Sequence, residues 1–515
     1  MARDQGFVAS ADSRATSAGL DVLRAGGNAV DAAIATNAVL AVTAPHLCGL
    51  GGDLFALVFA AGRVECLEAA GPAGELSDPE ALRSEGRRAM PLFNDLRSVT
   101  VPGCVDGLVA LHERFGSHDL AGLFAAATAL AEHGFEASTP LAEAIARLDA
   151  AALAALAELA DQASAPGALV QRPGVARALG SVADQGRDGF YRGEFGAGLV
   201  EMPGATITAT DLERSCSRWV EPLHHPAWGV ELWVAPPPSQ GYLFAASAAL
   251  ASALVLPDPD DPAWSHLLVE CATAAGFDRP DVLFDGADGA ALLARATGRG
   301  RLVDQSRASG RRLAGGPGDT TYLCTLDGQG MAVSLIQSNA SGLGAKIAEP
   351  STQINLHNRG LGFNLIPGHP AELQPERRPP HTLVPAMATD GRGLRAVLGT
   401  MGGDAQPQIL LQVAARLFRH RQHPREAIGA GRWALQAASG FDTWTADRVH
   451  VAVEGNAPSA WADGLAARGH DVVVTPPLSA AFGHAMAITR LEDDTWAAAA
   501  DPRTVVGSWQ STAAH

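Results

Sequence analysis

The sequence predicts an α+β protein, and three observations carry that expectation. Residues 105–200 are dominated by Ala-rich helical patterns such as AALAAL, interrupted by Gly and Pro. Residues 320–339, TTYLCTLDGQGMAVSLIQSN, read as two apolar strands joined by a turn at Asp327-Gly328-Gln329-Gly330. A chain of 515 residues, 47% hydrophobic, is also too long for one simple core. At roughly 100–200 residues per domain it would hold about three units.

The elements follow in order. Asp12 or Ser13 caps a first helix that runs to about Leu23, and Gly26-Gly27-Asn28 breaks it. A second, Ala-rich helix covers residues 29–42. A glycine turn at Gly49, Gly51 and Gly52 then leads into a strand at residues 54–59. A strand at 230–234 enters the turn PPPSQG, residues 236–241. The apolar stretch 242–256 is shorter than the ~20 residues that span a bilayer. Proline-rich segments bound it, so it reads as a buried helix. Residues 297–318 are polar and rich in Gly and Arg, which marks a linker.

Composition narrows the function classes. A net charge of −17 opposes a nucleic-acid surface, because neutralising phosphates needs clustered cations, and Lys346 is the only lysine. No apolar run precedes the first motif and no stretch spans a membrane, so neither a secretory signal nor a membrane partner is expected. Cys48, Cys66, Cys104, Cys216, Cys271 and Cys324 show no CxxC or zinc-like spacing. Disulfides are therefore not expected, and the cytoplasm is the expected address. The sixteen histidines include no HExxH and no pair at ligand spacing with carboxylates, so no metal is expected. The glycines at 49–52 lack dinucleotide spacing, and no cofactor is expected.

The abrupt passage from linker to strand at Thr320 has a chemical reading. A threonine hydroxyl is a poor nucleophile without a nearby base. As the first residue of a chain, Thr320 would carry its own base, an α-amine of pKa ~7.7–8.0. Creating that terminus requires cleavage of the Asp319–Thr320 bond by attack of the Thr320 hydroxyl on the Asp319 carbonyl. Oxyanion donors are then needed, and Gly402-Gly403 in LGTMGGD, residues 398–404, suit close backbone approach.

Several motifs in order resemble the γ-glutamyltranspeptidase family across nearly the whole chain. They are Ala18-Gly19 through GNAVDAA (residues 27–33), GLGG (49–52), VPG (101–103), the 236–241 turn, Thr320-Thr321, RPPHT (378–382), Gly402-Gly403 and Asp501-Pro502-Arg503. The resemblance implies the four-layer αββα sandwich of N-terminal-nucleophile hydrolases. It implies a precursor cut into a large subunit, 1–319, and a small catalytic subunit, 320–515; a higher homo-oligomer stays open. It further implies Thr320 as nucleophile and base, Gly402 and Gly403 as oxyanion hole, and Asn339 as a substrate contact. Gln337 falls where the family has a nucleophile-orienting Thr, with Ser338 between the two.

Departures from the family pattern point away from glutathione. The segment EAAGPAGEL, residues 68–76, lacks the Arg that holds a γ-glutamyl carboxylate, and Gly362 stands where an Asp would hold the ammonium. A Ser-Ser pair is replaced by His381-Thr382. Arg359 and His381, with Thr382 and Asp53, are the candidates for meeting a small-molecule substrate. The plain alternatives are a surface ion pair for Arg359, a structural histidine at His381 and a turn cap at Asp53. Segments such as GDTTYLC and NRGLGF resemble the subgroup that includes oxamate amidohydrolase and cephalosporin acylase relatives. The expected activity is a Thr acyl-enzyme amidohydrolase or acyltransferase for a small or acidic acyl-amide. A γ-glutamyl hydrolase or transpeptidase, an acyl-bond hydrolase of natural products and an uncut, non-catalytic relative are the alternatives.

Cleavage at Asp319–Thr320 should yield two chains of 319 and 196 (515 − 319) residues on a denaturing gel, the smaller beginning at Thr320. Thr320→Ala should leave one full-length band. Persistent cleavage in that variant would overturn the junction.

Overall fold

The computed structural model describes residues 5–311, 318–437 and 449–513. Helix α1 (Ser13–Arg24) is capped by Asp12, whose side chain accepts from the Arg14 amide. Helix α2 (Ala29–Thr43) begins with a capping box between Asn28 and Asp31. All fifteen residues of α2 are buried, as an Ala-rich helix without a polar face requires. Gly19 allows α1 onto α2, because a Cβ there would lie 2.1 Å from Thr36 Oγ1.

Two large antiparallel sheets organise the strands. The first contains β1 (Phe7–Ser10), β2 (Asp53–Ala60), β3 (Arg63–Ala69) and β4 (Ser217–Val220). The second begins with β5 (Leu223–Ala227) and β6 (Val230–Val234). Beyond the linker, β7 (Thr321–Leu326) and β8 (Ala332–Ser338) join the first sheet. Strands β9 (Ala386–Asp390), β10 (Gly393–Thr400), β11 (Ala485–Arg490) and β12 (Trp496–Ala500) complete the second, and β13 (Ser508–Ser511) closes the first. The seven-stranded order is β13-β1-β7-β8-β2-β3-β4, and the six-stranded order is β12-β11-β10-β9-β6-β5. Strands β7 and β8 contact β10 of the other sheet. Helices α2 and α3 (Cys104–Phe115) pack on the first sheet, and α4 (Gly241–Ser252) and α5 (Gln406–Ala414) on the second. The protein is thus a mixed α+β fold.

The expected elements are found with small shifts. The helical region contains helices from Cys104–Phe115 to Glu194–Glu201. The apolar stretch is a buried helix, but α4 stops at Ser252, short of Leu256, and Val255 is exposed. The two prolines at 257 and 259 disfavour continuing it. Six cysteines are buried and unpaired. Among the described residues, no helix is long and apolar enough to cross a membrane.

The linker is anchored over its first half. Arg299 pairs with Asp278 through a buried guanidinium, and the Ala308 amide donates to the Arg468 carbonyl at 2.7 Å. Residues 312–317 of the expected linker lie outside the described residues.

The Asp501-Pro502-Arg503 motif is the centre of a buried charge network. Asp501 Oδ2 accepts from Arg432 Nη2 at 2.7 Å and from the Ala485 amide at 2.8 Å. Its Oδ1 accepts from Arg503 Nη1 at 3.0 Å, and Arg503 Nε donates to Glu454 at 2.7 Å. Burial would raise the Asp501 carboxyl, but the two guanidiniums outweigh it and hold it below the usual range. Breaking a buried network by removing one partner leaves an uncompensated charge. Asp501→Ala should therefore lower stability by about 3–5 kcal/mol, read as a shift in the urea midpoint.

Candidate active site at the Asp319–Thr320 junction

Strand register brings the expected residues together at one end of the central strands of the first sheet. Gln337 lies opposite Thr321, and Ser338 lies opposite Asp53. The start of β7, the end of β8 and the start of β2 therefore meet. Successive side chains on a strand face opposite ways, so Gln337 and Ser338 have different surroundings.

Ser338 meets Thr320. Their hydroxyls are 3.0 Å apart, and Ser338 Oγ also donates to the Asp319 carbonyl at 2.9 Å. Thr320 is buried, and the Ala340 amide donates to Ser338 Oγ at 2.8 Å. Gln337 turns to the glycine turn instead: its Nε2 donates to the Gly49 carbonyl and its Oε1 accepts from the Gly49 amide. Asn339 faces the same loop, with Nδ2 3.4 Å from the Pro45 carbonyl. Gly52 is required there, because a Cβ would sit 2.5 Å from the Ser338 carbonyl.

Arg359 lies behind Ser338. Its Nη2 donates to Ser338 Oγ at 3.3 Å and its Nη1 to Thr382 Oγ1 at 3.1 Å. It is 2% exposed, so the surface-pair alternative does not describe it. Burial lowers it to about 10, which leaves it cationic at neutral pH. No carboxylate lies within 4.0 Å of it among the described residues.

Asp53 and His381, expected as separate contacts, bond each other: His381 Nε2 is 3.2 Å from Asp53 Oδ2. Asp53 Oδ1 accepts from the Gly103 amide at 3.1 Å and the Gly71 amide at 3.4 Å. His357 Nδ1 lies 3.6 Å from Asp53 Oδ2, while its Nε2 bonds the Thr100 carbonyl at 2.8 Å. Burial would raise Asp53, but His357, His381 and Arg359 outweigh it and hold the carboxyl below its usual range. Burial, then the Arg359 charge, lowers His381 to about 3. Sequence reasoning missed His357, whose signal was its place two residues before Arg359.

Gly402 and Gly403 follow β10 with φ of 133° and 56°, a conformation that favours glycine. Gly399 lies against the Tyr322 ring, which sets the end of β10 over the start of β7. Gln240 Nε2 joins the Gly403 carbonyl (3.1 Å) to the Thr382 carbonyl (3.0 Å), and Asp404 pairs with Arg279 at 2.9 Å. Sequence reasoning missed both Gln240 and Arg279.

A cavity of about 450 Å³ opens beside the junction, lined by His46, Asp319, Lys346, Met401, His484 and Arg503 among others. Burial raises the half-buried Asp319 carboxyl to about 6. In the segment without an arginine, Glu68 is buried against Arg218 at 2.8 Å. Arg378 reaches that segment from elsewhere and donates to the Ala70 carbonyl at 2.9 Å.

Residues 15–510 match the family model described as gamma-glutamyltranspeptidase. The chain is 33% identical to the oxamate amidohydrolase proenzyme of Klebsiella pneumoniae, over 95% of each chain. It is 31% identical to the glutathione hydrolase-like YwrD proenzyme of Bacillus subtilis, over 96% of this chain and 97% of that one. The crystal structure of cephalosporin acylase from Bacillus halodurans superposes with a TM-score of 0.88 at 29% identity, over 100% of this chain and 97% of that one.

Burial holds His46 and His381 at about 3 and His484 at about 4. In the unfolded chain each takes a proton near pH ~6.5. Below that pH the unfolded state binds more protons, so acid favours unfolding. The urea midpoint should be highest above about pH 6.5 and should fall steadily toward pH 4. A flat profile across that window would contradict the buried, neutral histidines.

Proposed function

The chain belongs to the γ-glutamyltranspeptidase family, and from that premise we propose that it is an autoprocessed N-terminal-threonine amidohydrolase for small acidic acyl-amides. The relatives it matches are proenzymes of hydrolases and acylases. One observation carries the finer reading: Ser338 Oγ touches both the Thr320 hydroxyl and the Asp319 carbonyl, while the Arg359 guanidinium backs it.

In self-cleavage, Thr320 Oγ attacks the Asp319 carbonyl carbon. The Ser338 hydroxyl, donating to that carbonyl, stabilises the charge that develops on its oxygen. The proton that leaves Thr320 Oγ is relayed by water to the Thr320 nitrogen, and the Asp319–Thr320 C–N bond breaks as that nitrogen takes it. Water then hydrolyses the ester, leaving an Asp319 carboxylate and a free Thr320 amine. In the mature reaction that amine takes the hydroxyl proton as Thr320 attacks the amide substrate. The leaving amine departs protonated, and water or another acceptor releases the acyl group. Gly402 and Gly403 provide the oxyanion amides in this reading. Gln337 and Asn339 hold the Gly49–Gly52 turn against the nucleophile.

The products are a large subunit, 1–319, and a small subunit, 320–515. We read the two sheets and the helices packed on them as the αββα sandwich of N-terminal-nucleophile hydrolases. Six buried, unpaired thiols support a cytoplasmic setting.

Arg359 is the reason to favour an acidic substrate. Its direct bonds go to the Ser338 and Thr382 hydroxyls, and Asp53 and Asp404 act on it only from a distance, so an anionic ligand can still pair with it directly. Asp53 and His381 satisfy one another and position the wall beside it. Oxamate, an amide carrying one carboxylate and no ammonium, fits that charge pattern, as the name of one relative suggests.

Turnover of oxamate, a glutaryl amide and a γ-glutamyl anilide should rank the first two above the third. Arg359→Met should lower kcat/KM for the acidic amides by roughly 10- to 150-fold, the worth of one charge-assisted contact of about 1.5–3 kcal/mol. Preferred turnover of the γ-glutamyl anilide would favour the transpeptidase alternative.

A further inference from the structure

Far from Thr320 in sequence, three ligand-type side chains converge where the linker meets the small subunit. Helix Pro262–Gly276 presents His266 and Glu270 four residues apart, the spacing that puts two side chains on one helix face. His470, just after helix Ala460–Ala467, arrives from the other side. His266 Nδ1 and His470 Nε2 are 2.8 Å apart, and one ligand atom from each of the three residues lies within 4.8 Å of the others.

We propose that His266, Glu270 and His470 form a binding site for a divalent transition-metal cation of the zinc class. This site is separate from the junction and independent of which residue is the nucleophile.

Each partner is prepared for such a role. His266 Nε2 lies 3.0 Å from the Asp304 carbonyl, which can only accept a hydrogen bond. The proton is thereby fixed on Nε2, and Nδ1 keeps its lone pair. Histidine ligands of metals are commonly oriented by this kind of bond from the other ring nitrogen to a carbonyl. His470 closes on that lone pair, its Nε2 lying 2.8 Å from His266 Nδ1. Glu270 is 3% exposed; its Oε1 accepts from the Ser309 amide at 3.2 Å, and its buried Oε2 accepts from no group among the described residues.

Two histidines and a carboxylate are a ligand set that zinc uses, with bonds of about 2.0–2.2 Å. Reaching that geometry needs small side-chain rotations, and His470, half-buried, leaves one side where water completes the shell. The cation would take the place of the proton that now bridges the two rings, with the neutral His470 ring changing tautomer so that its proton sits on Nδ1. It would staple the Pro262–Gly276 helix, the linker at Asp304–Ser309 and the His470 loop. The Ala308 amide already ties the linker to the loop that carries His470, through the Arg468 carbonyl. If the chain is cut at residue 319, the same ion would tie the two products together.

The test is titration of chelator-treated wild-type protein with Zn2+ alone, followed by calorimetry and thermal unfolding. One equivalent should bind saturably and raise Tm. His470→Ala and Glu270→Gln should each weaken that binding by more than about 100-fold, beyond the loss expected from an outer partner alone. Both variants should keep the metal-free Tm within a few degrees, which separates lost ligation from lost folding. Co2+ should give a ligand-field absorption in the wild type that both variants lose. Absence of saturable binding, or weak binding of several equivalents unchanged in both variants, overturns the site.

Discussion

The register of β8 against its neighbours is the constraint on which the site depends. Ser338 lies opposite Asp53, and Gln337 lies opposite Thr321. A slip of one residue would exchange their faces, sending an amide toward the Thr320 hydroxyl and a short hydroxyl toward the glycine turn. Gln337 prevents that slip because both ends of its amide are used by the Gly49 peptide. The side chain aligned with a family threonine thus holds the turn, and its neighbour reaches the Thr320 hydroxyl.

Charge placement follows from the same meeting of central strand ends. Asp53 begins β2 directly across from Ser338, and it collects two backbone amides and the His381 ring. Burying a carboxylate is costly unless such partners satisfy it. The fold meets that cost with His357, His381 and the nearby Arg359. Arg359 keeps its own charge under burial and spends two donors on hydroxyls. A hydroxyl is a weaker partner for a guanidinium than a carboxylate. That difference leaves the cation available to an anionic ligand, whereas a salt bridge to Asp53 would have consumed it.

Much of the fold was legible because its signals are local. The Asp12 cap, the break at Gly26-Gly27-Asn28, the Ala-rich helix and the strand pair around Asp327–Gly330 depend on neighbours within a few residues. The end of the 241–252 helix was misjudged because apolar content persists past Ser252, while the backbone already turns at 253–254. Gln240, Arg279 and His357 escaped notice for a different reason. Each acts through a partner more than a hundred residues away, on Gly403, Asp404 and Asp53 respectively.

The metal-ligand question shows the same divide. No spacing in the chain suggested a site, because His266 and His470 are separated by 204 residues and only packing makes them neighbours. By itself the sequence determined most element types and the family, since propensity, capping and short motifs are written in adjacent residues. Tertiary structure alone decided that Ser338 contacts Thr320, that Asp53 and His381 bond each other, and that Arg359 is buried with hydroxyls as its direct partners among the described residues. Those outcomes depend on strand register and on which distant groups share a buried volume, and neither is encoded in any single stretch of chain.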